Sequence, residues 1–124
     1  MASVGYHEPV ELLSATTKDL HRAIVSLMEE LEAIDWYTQR AEACTDDELR
    51  RTITHNRNEE IEHACMTLEW IRRRSPEFDA NLKRYLFTTG PITETEEKAT
   101  GGAGGEESAT STTSLGLGSL KGKG

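Results

Sequence analysis

The chain has 124 residues, a formal net charge of −8 and a hydrophobic content of 35%. This length allows one small domain, and the acidic balance argues against nucleic acid and membrane surfaces as partners and favours cations. No apolar run is long enough to span a membrane, and the first residues lack the pattern of a secretory signal.

The residues that could pack together are concentrated in the first 92 positions. All seven aromatic residues lie at or before Phe87, and nine of the ten glycines lie from Gly90 onward. We therefore predict a folded domain over residues 1–92, a flexible Gly/Ser/Thr/Glu linker over 93–113 and a terminal peptide over 114–124. Because so small and polar a domain has a thin core, association with further copies is favoured.

The hydrophobic pattern predicts helices and no strands. A first helix is expected from about Pro9 to about Glu42, with apolar residues every three or four positions. A second is expected to open at a capping box of Thr45 and Glu48 and to end before Pro76. A third, shorter helix is expected over about residues 77–86. The predicted fold is therefore all-α, an antiparallel two-helix hairpin followed by a short C-terminal helix.

Three ionisable residues fall on or beside the apolar stripes of the two long helices. On the second helix, Glu60 lies about 20° from Leu49, and His63 lies about 40° to its other side, at roughly 100° per residue. On the first helix, Glu30 lies on the shoulder of the stripe. A buried carboxylate is costly unless it is paired, hydrogen-bonded or bound to a metal. We therefore consider these three residues candidate metal ligands, with Tyr37 beside Glu30 either bonding a ligand carboxylate or simply packing.

The spacing of Glu60 and His63 lets a carboxylate and an imidazole from adjacent turns reach one metal ion. Di-iron bundles use one Glu from each of two helices and a Glu-x-x-His pair from each of two others. This chain offers one of each, so two chains related by a two-fold axis would complete a two-metal centre and a four-helix bundle. The alternative is that the pair arises by chance and that the histidine has an ordinary hydrogen-bond partner.

A second polar set, Glu29, Glu32 and Trp36, follows the spacing i, i+3, i+7 on the first helix. Val25 and Met28 lie near that side of the helix, which makes it more apolar than a solvated face usually is. One interpretation is a cation-uptake patch between subunits, and the other is a solvated acidic edge with a packed tryptophan.

A third set, His55, Glu59 and Glu62, shares an outer face of the second helix, where we favour a solvated face over a metal site. The two cysteines are too few for a disulfide framework, so we expect a reducing compartment. Cys65 points away from His63 and is expected to be a small packed thiol, while Cys44 lies in the loop.

The terminal peptide carries three apolar anchors, Leu115, Leu117 and Leu120, among glycines and serines. This pattern is typical of an extended peptide that docks in a groove and is tethered by a flexible linker. The alternative is a low-complexity end with incidental leucines.

With these residues taken together, the chain resembles the encapsulated ferritins, the iron-oxidising cargo of bacterial encapsulin nanocompartments. The resemblance covers nearly everything from His7 to Ile92, and residues 21–37, 55–70 and 85–92 are its most specific stretches. Residues 114–122 are similar to the peptide that targets such cargo to the encapsulin shell.

The resemblance implies a ferritin-like four-helix bundle formed by dimerisation, assembled into a ring of ten subunits. It further implies an encapsulin shell protein as partner and the lumen of a cytoplasmic nanocompartment as location. It implies iron at the di-iron centre, and Ca²⁺ and Zn²⁺ are further candidates at the secondary sites. By position, the resemblance assigns three sites. The ferroxidase ligands are Glu30, Glu60 and His63, with Tyr37 beside them. The uptake site is Glu29 and Glu32 near Trp36, and the outer metal site is His55, Glu59 and Glu62.

The function predicted on these grounds is oxidation of Fe(II) by dioxygen, with delivery of Fe(III) for mineralisation inside the shell. One alternative is a non-enzymatic module in which metal merely joins helices from different chains. Another is a different di-metal chemistry, such as peroxide disproportionation with manganese. The ligand set alone does not separate these.

Overall fold

The structure is a computed structural model that describes residues 5–95. Over that range the chain is helical and has no strand, which confirms the all-α fold class. The terminal peptide over 114–124 and the linker beyond Thr95 lie outside the described residues. None of the helices described combines the length and apolar composition needed to cross a membrane. The elements are a 3-10 turn over Val10–Leu12 and helices α1 (Ala15–Ala43), α2 (Asp47–Arg74) and α3 (Pro76–Tyr85).

Helix α1 begins at Ala15, so the predicted start at Pro9 is wrong. Leu13, which follows the 3-10 turn, is extended at φ −101° and ψ 137°. Ser14 is extended as well, and its hydroxyl accepts a hydrogen bond from the backbone N–H of Thr17 at 3.1 Å. Ser14 is therefore the N-cap, and its extended backbone separates the helix from the preceding turn.

Helix α2 is capped by Asp46 and not by the predicted Thr45. The Asp46 carboxylate accepts a hydrogen bond from the Leu49 backbone N–H at 2.8 Å. A charged acceptor at this position is also favoured by the positive end of the helix dipole. The predicted end of α2 is confirmed, because Ser75 before Pro76 is extended at φ −121° and ψ 107°.

Helices α1 and α2 pack against each other as an antiparallel hairpin joined by residues 44–46. Among the described residues, the buried hydrophobic ones are Ala41, Ala64 and Ile71, and Ile71 is fully buried. Large apolar side chains elsewhere on the hairpin stay open, with Leu31 54% and Met66 64% exposed. The core of one hairpin is therefore thin, as the composition indicates.

The described residues from Pro76 to Thr95 belong to a unit separate from the hairpin. Pro76 is the first residue of α3, where its missing N–H costs no helical hydrogen bond. Helix α3 ends at Tyr85 and is followed by a turn in which Phe87 has a φ of 62°. A left-handed residue just past a helix end is usually glycine, so Phe87 is held in an unfavourable conformation.

Candidate metal site

Glu30 on α1 carries the clearest sign of a binding role. Its Oε2 accepts a hydrogen bond from the hydroxyl of Thr67 on α2 at 3.3 Å. Its Oε1 is buried and has no hydrogen-bond partner among the described residues. A buried carboxylate oxygen without a partner is unfavourable, because it has lost water and gained nothing in exchange.

Glu60 and His63 lie side by side on α2. Oε1 of Glu60 is 3.7 Å from Nδ1 of His63, and their side chains are 28% and 49% exposed. This distance exceeds that of a hydrogen bond, so the two groups are neighbours that do not satisfy each other. Two donors on adjacent turns, both partly open, are available for a shared ligand.

One chain does not assemble a closed metal site from these residues. Between residues 5 and 95 there is no group of three or more His, Cys, Asp or Glu side chains positioned to hold a metal ion. The structure thus brings Glu60 and His63 together and leaves Glu30 as a separate, partly buried residue whose Oε1 is buried. The described residues of one chain therefore do not by themselves enclose a metal ion.

The side chain of Arg40, which the sequence pattern does not single out, lies close to Tyr37. The guanidinium of Arg40 lies 5.8 Å from the ring centroid of Trp36 and 5.8 Å from that of Tyr37. Arg40 on α1 therefore joins the two aromatic residues by cation–π contacts. Trp36 is nonetheless 46% exposed.

The candidate uptake residues lie on the same helix at different depths. Glu29 is exposed, whereas Glu32 is partly buried. The described residues do not join them into a group able to hold a metal ion. Their role as an uptake site therefore remains a prediction.

The candidate outer residues form one contact on an open face of α2. Nε2 of His55 lies 3.1 Å from Oε2 of Glu59, and the two side chains are 70% and 53% exposed. Glu62 is exposed as well.

Cys65 is exposed, so the expectation of a packed thiol at that position is wrong for the described chain. Cys44 is partly buried, and its thiol lies 3.6 Å from the backbone carbonyl oxygen of Asp46.

Near the end of α2, Glu69 binds two arginines at once. Its carboxylate accepts hydrogen bonds from Arg72 at 2.8 Å and from Arg73 at 2.7 Å. These two donors lower the pKa of Glu69 from 4.5 to about 2. Glu69 is therefore occupied as a helix-end ion pair and is not offered to a metal.

Thr67 is the site residue that sequence reasoning missed. It also lines an open cleft of about 440 Å³. The sequence places Thr67 in register with Ile71 on the packed face of α2, but Glu30 and Thr67 are 37 positions apart and no spacing rule connects them. The other residues that line the cleft are Asp19, Arg22, Ala23, Ser26, Met66 and Trp70.

The donor set fits a hard or borderline metal ion such as iron. Carboxylate oxygens and an imidazole nitrogen are suitable ligands for Fe(II) and Fe(III). The buried, unpaired Oε1 of Glu30 is the kind of atom that a metal would satisfy.

A long helical hairpin with a carboxylate on one helix and a Glu-x-x-His pair on the other is consistent with a ferritin-like helical fold. The profile of the EncFtn-like family matches residues 5–89. The chain belongs to the EncFtn-like family, which confirms the resemblance to the encapsulated ferritins.

Relatives agree over most of the chain. An "Encapsulated ferritin-like protein" of Rhodospirillum rubrum is 54% identical over 128 aligned positions, covering 98% of this chain and 91% of the relative. A "Ferritin-like protein" of Thermotoga maritima is 51% identical over 98 positions, covering 79% of this chain and 86% of the relative. A crystal structure of a Nitrosomonas europaea protein is 61% identical, with a TM-score of 0.69, covering 71% of this chain and 97% of that one.

Proposed function

We propose that the chain is a ferroxidase that oxidises Fe(II) with dioxygen at a two-metal site shared between two chains. The observation that carries the proposal is the buried Oε1 of Glu30, which has no hydrogen-bond partner among residues 5–95. The ferritin-like and encapsulated ferritin-like names of the relatives support an iron substrate.

Two chains would supply what one lacks. Each contributes Glu30, Glu60 and His63, so a symmetric pair offers four carboxylates and two imidazoles, the ligand count of a di-iron bundle. The exposed Leu31 and Met66 support such a pairing, because burying large apolar side chains on the hairpin would thicken its core. The homodimer, and a ring of ten subunits built from it, are parts of this proposal.

The chain's own residues would bind and orient the substrate. Each Fe(II) gives up one electron, so two ions held together can supply two electrons to one dioxygen molecule. Glu30 and Glu60 provide anionic oxygens, which favour the Fe(III) product over Fe(II) because the interaction grows with the charge of the ion. His63 provides a neutral nitrogen. The exposed carboxylates of Glu29 and Glu59 would raise the local concentration of Fe(II).

Residues 114–122 would deliver this activity to an encapsulin shell. The support is the sequence pattern of three leucines on a flexible tether, together with the relative that is named as encapsulated. Inside such a shell, the Fe(III) product could mineralise without a storage cavity in the ring itself. The lumen of the shell, in the cytoplasm, is the location that this proposal assigns.

The decisive experiment is Fe(II) oxidation by the metal-free, full-length chain after exposure to air. We expect the double variant Glu60→Ala, His63→Ala to oxidise Fe(II) more slowly than the wild type. Damage to a metal site typically lowers activity by about tenfold to a hundredfold, and the loss here should be at least that large. Glu42→Ala, an exposed change on α1, is the matched control and should behave as the wild type. Sustained oxygen consumption with excess Fe(II) is required, since a purely structural metal module would not turn over. Equal rates of Fe(II) oxidation in the wild type and the double variant would contradict the proposal.

A further inference from the structure

We propose that Thr67 is a positioning residue for Glu30, holding one carboxylate oxygen so that the other is presented to the metal. This inference rests on the proposed ferroxidase function, which makes Glu30 a ligand. It concerns a different residue and a different measurement from those that test the function itself.

The contact joins the two helices at the candidate site. The Thr67 hydroxyl on α2 donates to Oε2 of Glu30 on α1 at 3.3 Å, between two partly buried side chains. This bond is longer than the usual about 2.5–3.0 Å for an O–H···O hydrogen bond. The contact directs Oε2 of Glu30 towards α2.

The direction of the Thr67 hydroxyl distinguishes it from Thr38 on α1 and Thr52 on α2. A helical threonine commonly donates to the carbonyl oxygen four residues earlier. Thr38 does so to Ile34 at 2.7 Å, and Thr52 does so to Glu48 at 3.0 Å. Thr67 instead directs its single hydroxyl hydrogen across to the other helix.

This choice leaves the two oxygens of Glu30 in different states. Oε2 has a donor, whereas Oε1 is buried without one among the described residues. A carboxylate fixed at one oxygen loses little rotational freedom when a metal binds at the other, so binding is stronger than to a freely turning side chain. Thr67 would thus act on the metal only through Glu30.

The test compares three substitutions in the full chain by anaerobic titration with Co(II), a non-oxidising probe, followed by calorimetry and visible absorption. Thr67→Val keeps the branched shape and removes the hydroxyl, while Thr67→Ser keeps the hydroxyl. Thr52→Val is the matched control on the same helix, because it removes a hydroxyl that bonds only its own helix.

We expect Thr67→Val to weaken Co(II) binding by about tenfold to a hundredfold, the usual effect of removing a group that orients a metal ligand. Thr67→Ser should restore binding to within about threefold of the wild type, since the donor is retained. Thr52→Val should bind as the wild type does. In the background Glu30→Ala, Thr67→Val should cause no further loss, because a positioning residue without its target has nothing to position.

Wild-type affinity in Thr67→Val, or an equal loss in Thr67→Ser, would overturn the role assigned to the hydroxyl. A full additional loss from Thr67→Val in the Glu30→Ala background would also overturn it. If Thr67→Val does not fold, Thr67→Ala replaces it and is judged against Thr67→Ser in the same way. A wild type that neither binds Co(II) nor oxidises Fe(II) would instead remove the ferroxidase proposal, so the two failures are distinguishable.

Discussion

Replacing the partly buried carboxylate of Glu30 by an apolar side chain of similar length should stabilise the metal-free protein. In the substitution Glu30→Met, the unpaired Oε1 disappears and the side chain that replaces it needs no hydrogen bond. The hydroxyl of Thr67 loses its acceptor, but it can turn to the carbonyl oxygen four residues back, as the hydroxyls of Thr38 and Thr52 already do.

The size of the effect follows from these contacts. An unsatisfied buried polar group costs about 1–3 kcal/mol, and the hydrogen bond given up is worth about 1 kcal/mol. The net gain therefore lies between zero and about 2 kcal/mol, and each kcal/mol raises the unfolding temperature of a domain of this size by about 4–8 °C. The same substitution at exposed Glu42 should stay within about 0.5 kcal/mol of the wild type.

The assay is thermal unfolding followed by circular dichroism, at one fixed chain concentration, first with a chelator and then with Co(II). At a free Co(II) concentration a hundredfold above the dissociation constant, the wild type should gain about 2.7 kcal/mol from binding. Glu30→Met should gain far less, so the order of stability reverses when metal is added. A metal-free Glu30→Met that unfolds below the wild-type temperature would refute the reasoning, because the penalty at Oε1 would then be smaller than the value of the hydrogen bond given up.

Two further predictions concern other parts of the chain. The arginines beside Glu69 lower its pKa to about 2, so its contribution to stability is complete above its ordinary pKa of 4.5 and is lost as the pH falls towards 2. Glu69→Gln should therefore lower the unfolding temperature at neutral pH by an amount that shrinks as the pH approaches 2, and a difference independent of pH would contradict this assignment. Deletion of residues 115–124 should leave Fe(II) oxidation intact and abolish co-purification with a co-expressed encapsulin shell protein. Retained packaging would show that another surface of the chain binds the shell.

The sequence predicts the helices well because their apolar spacing extends over many turns. It does not predict their starts equally well, since several residues compete at each N-terminus. Pro9 and Ser14 both suit a helix start, and the structure selects Ser14 because its hydroxyl bonds the Thr17 N–H. Thr45 and Asp46 compete in the same way, and the carboxylate of Asp46 caps α2.

Within the candidate site, contacts along one helix can be predicted from the sequence, whereas contacts between helices cannot. The neighbours Glu60 and His63 are predictable, because a spacing of three on one helix fixes their proximity. The bond between Glu30 and Thr67 is not, because it depends on the packing of two helices and on which of two acceptors a hydroxyl selects. Local periodicity carries no information on that choice.

The thin core of the hairpin also bears on how the chain folds and survives. Contacts between α1 and α2 are made across a connection of residues 44–46, so pairing the two helices closes little more than a short loop and should be fast. With Ala41, Ala64 and Ile71 as the buried hydrophobic residues among those described, we expect the resulting hairpin to open more readily than a hairpin with a larger core. In the proposed dimer, a newly made chain would fold early and stay open to proteases until it pairs, so its survival would rise with the concentration of the chain.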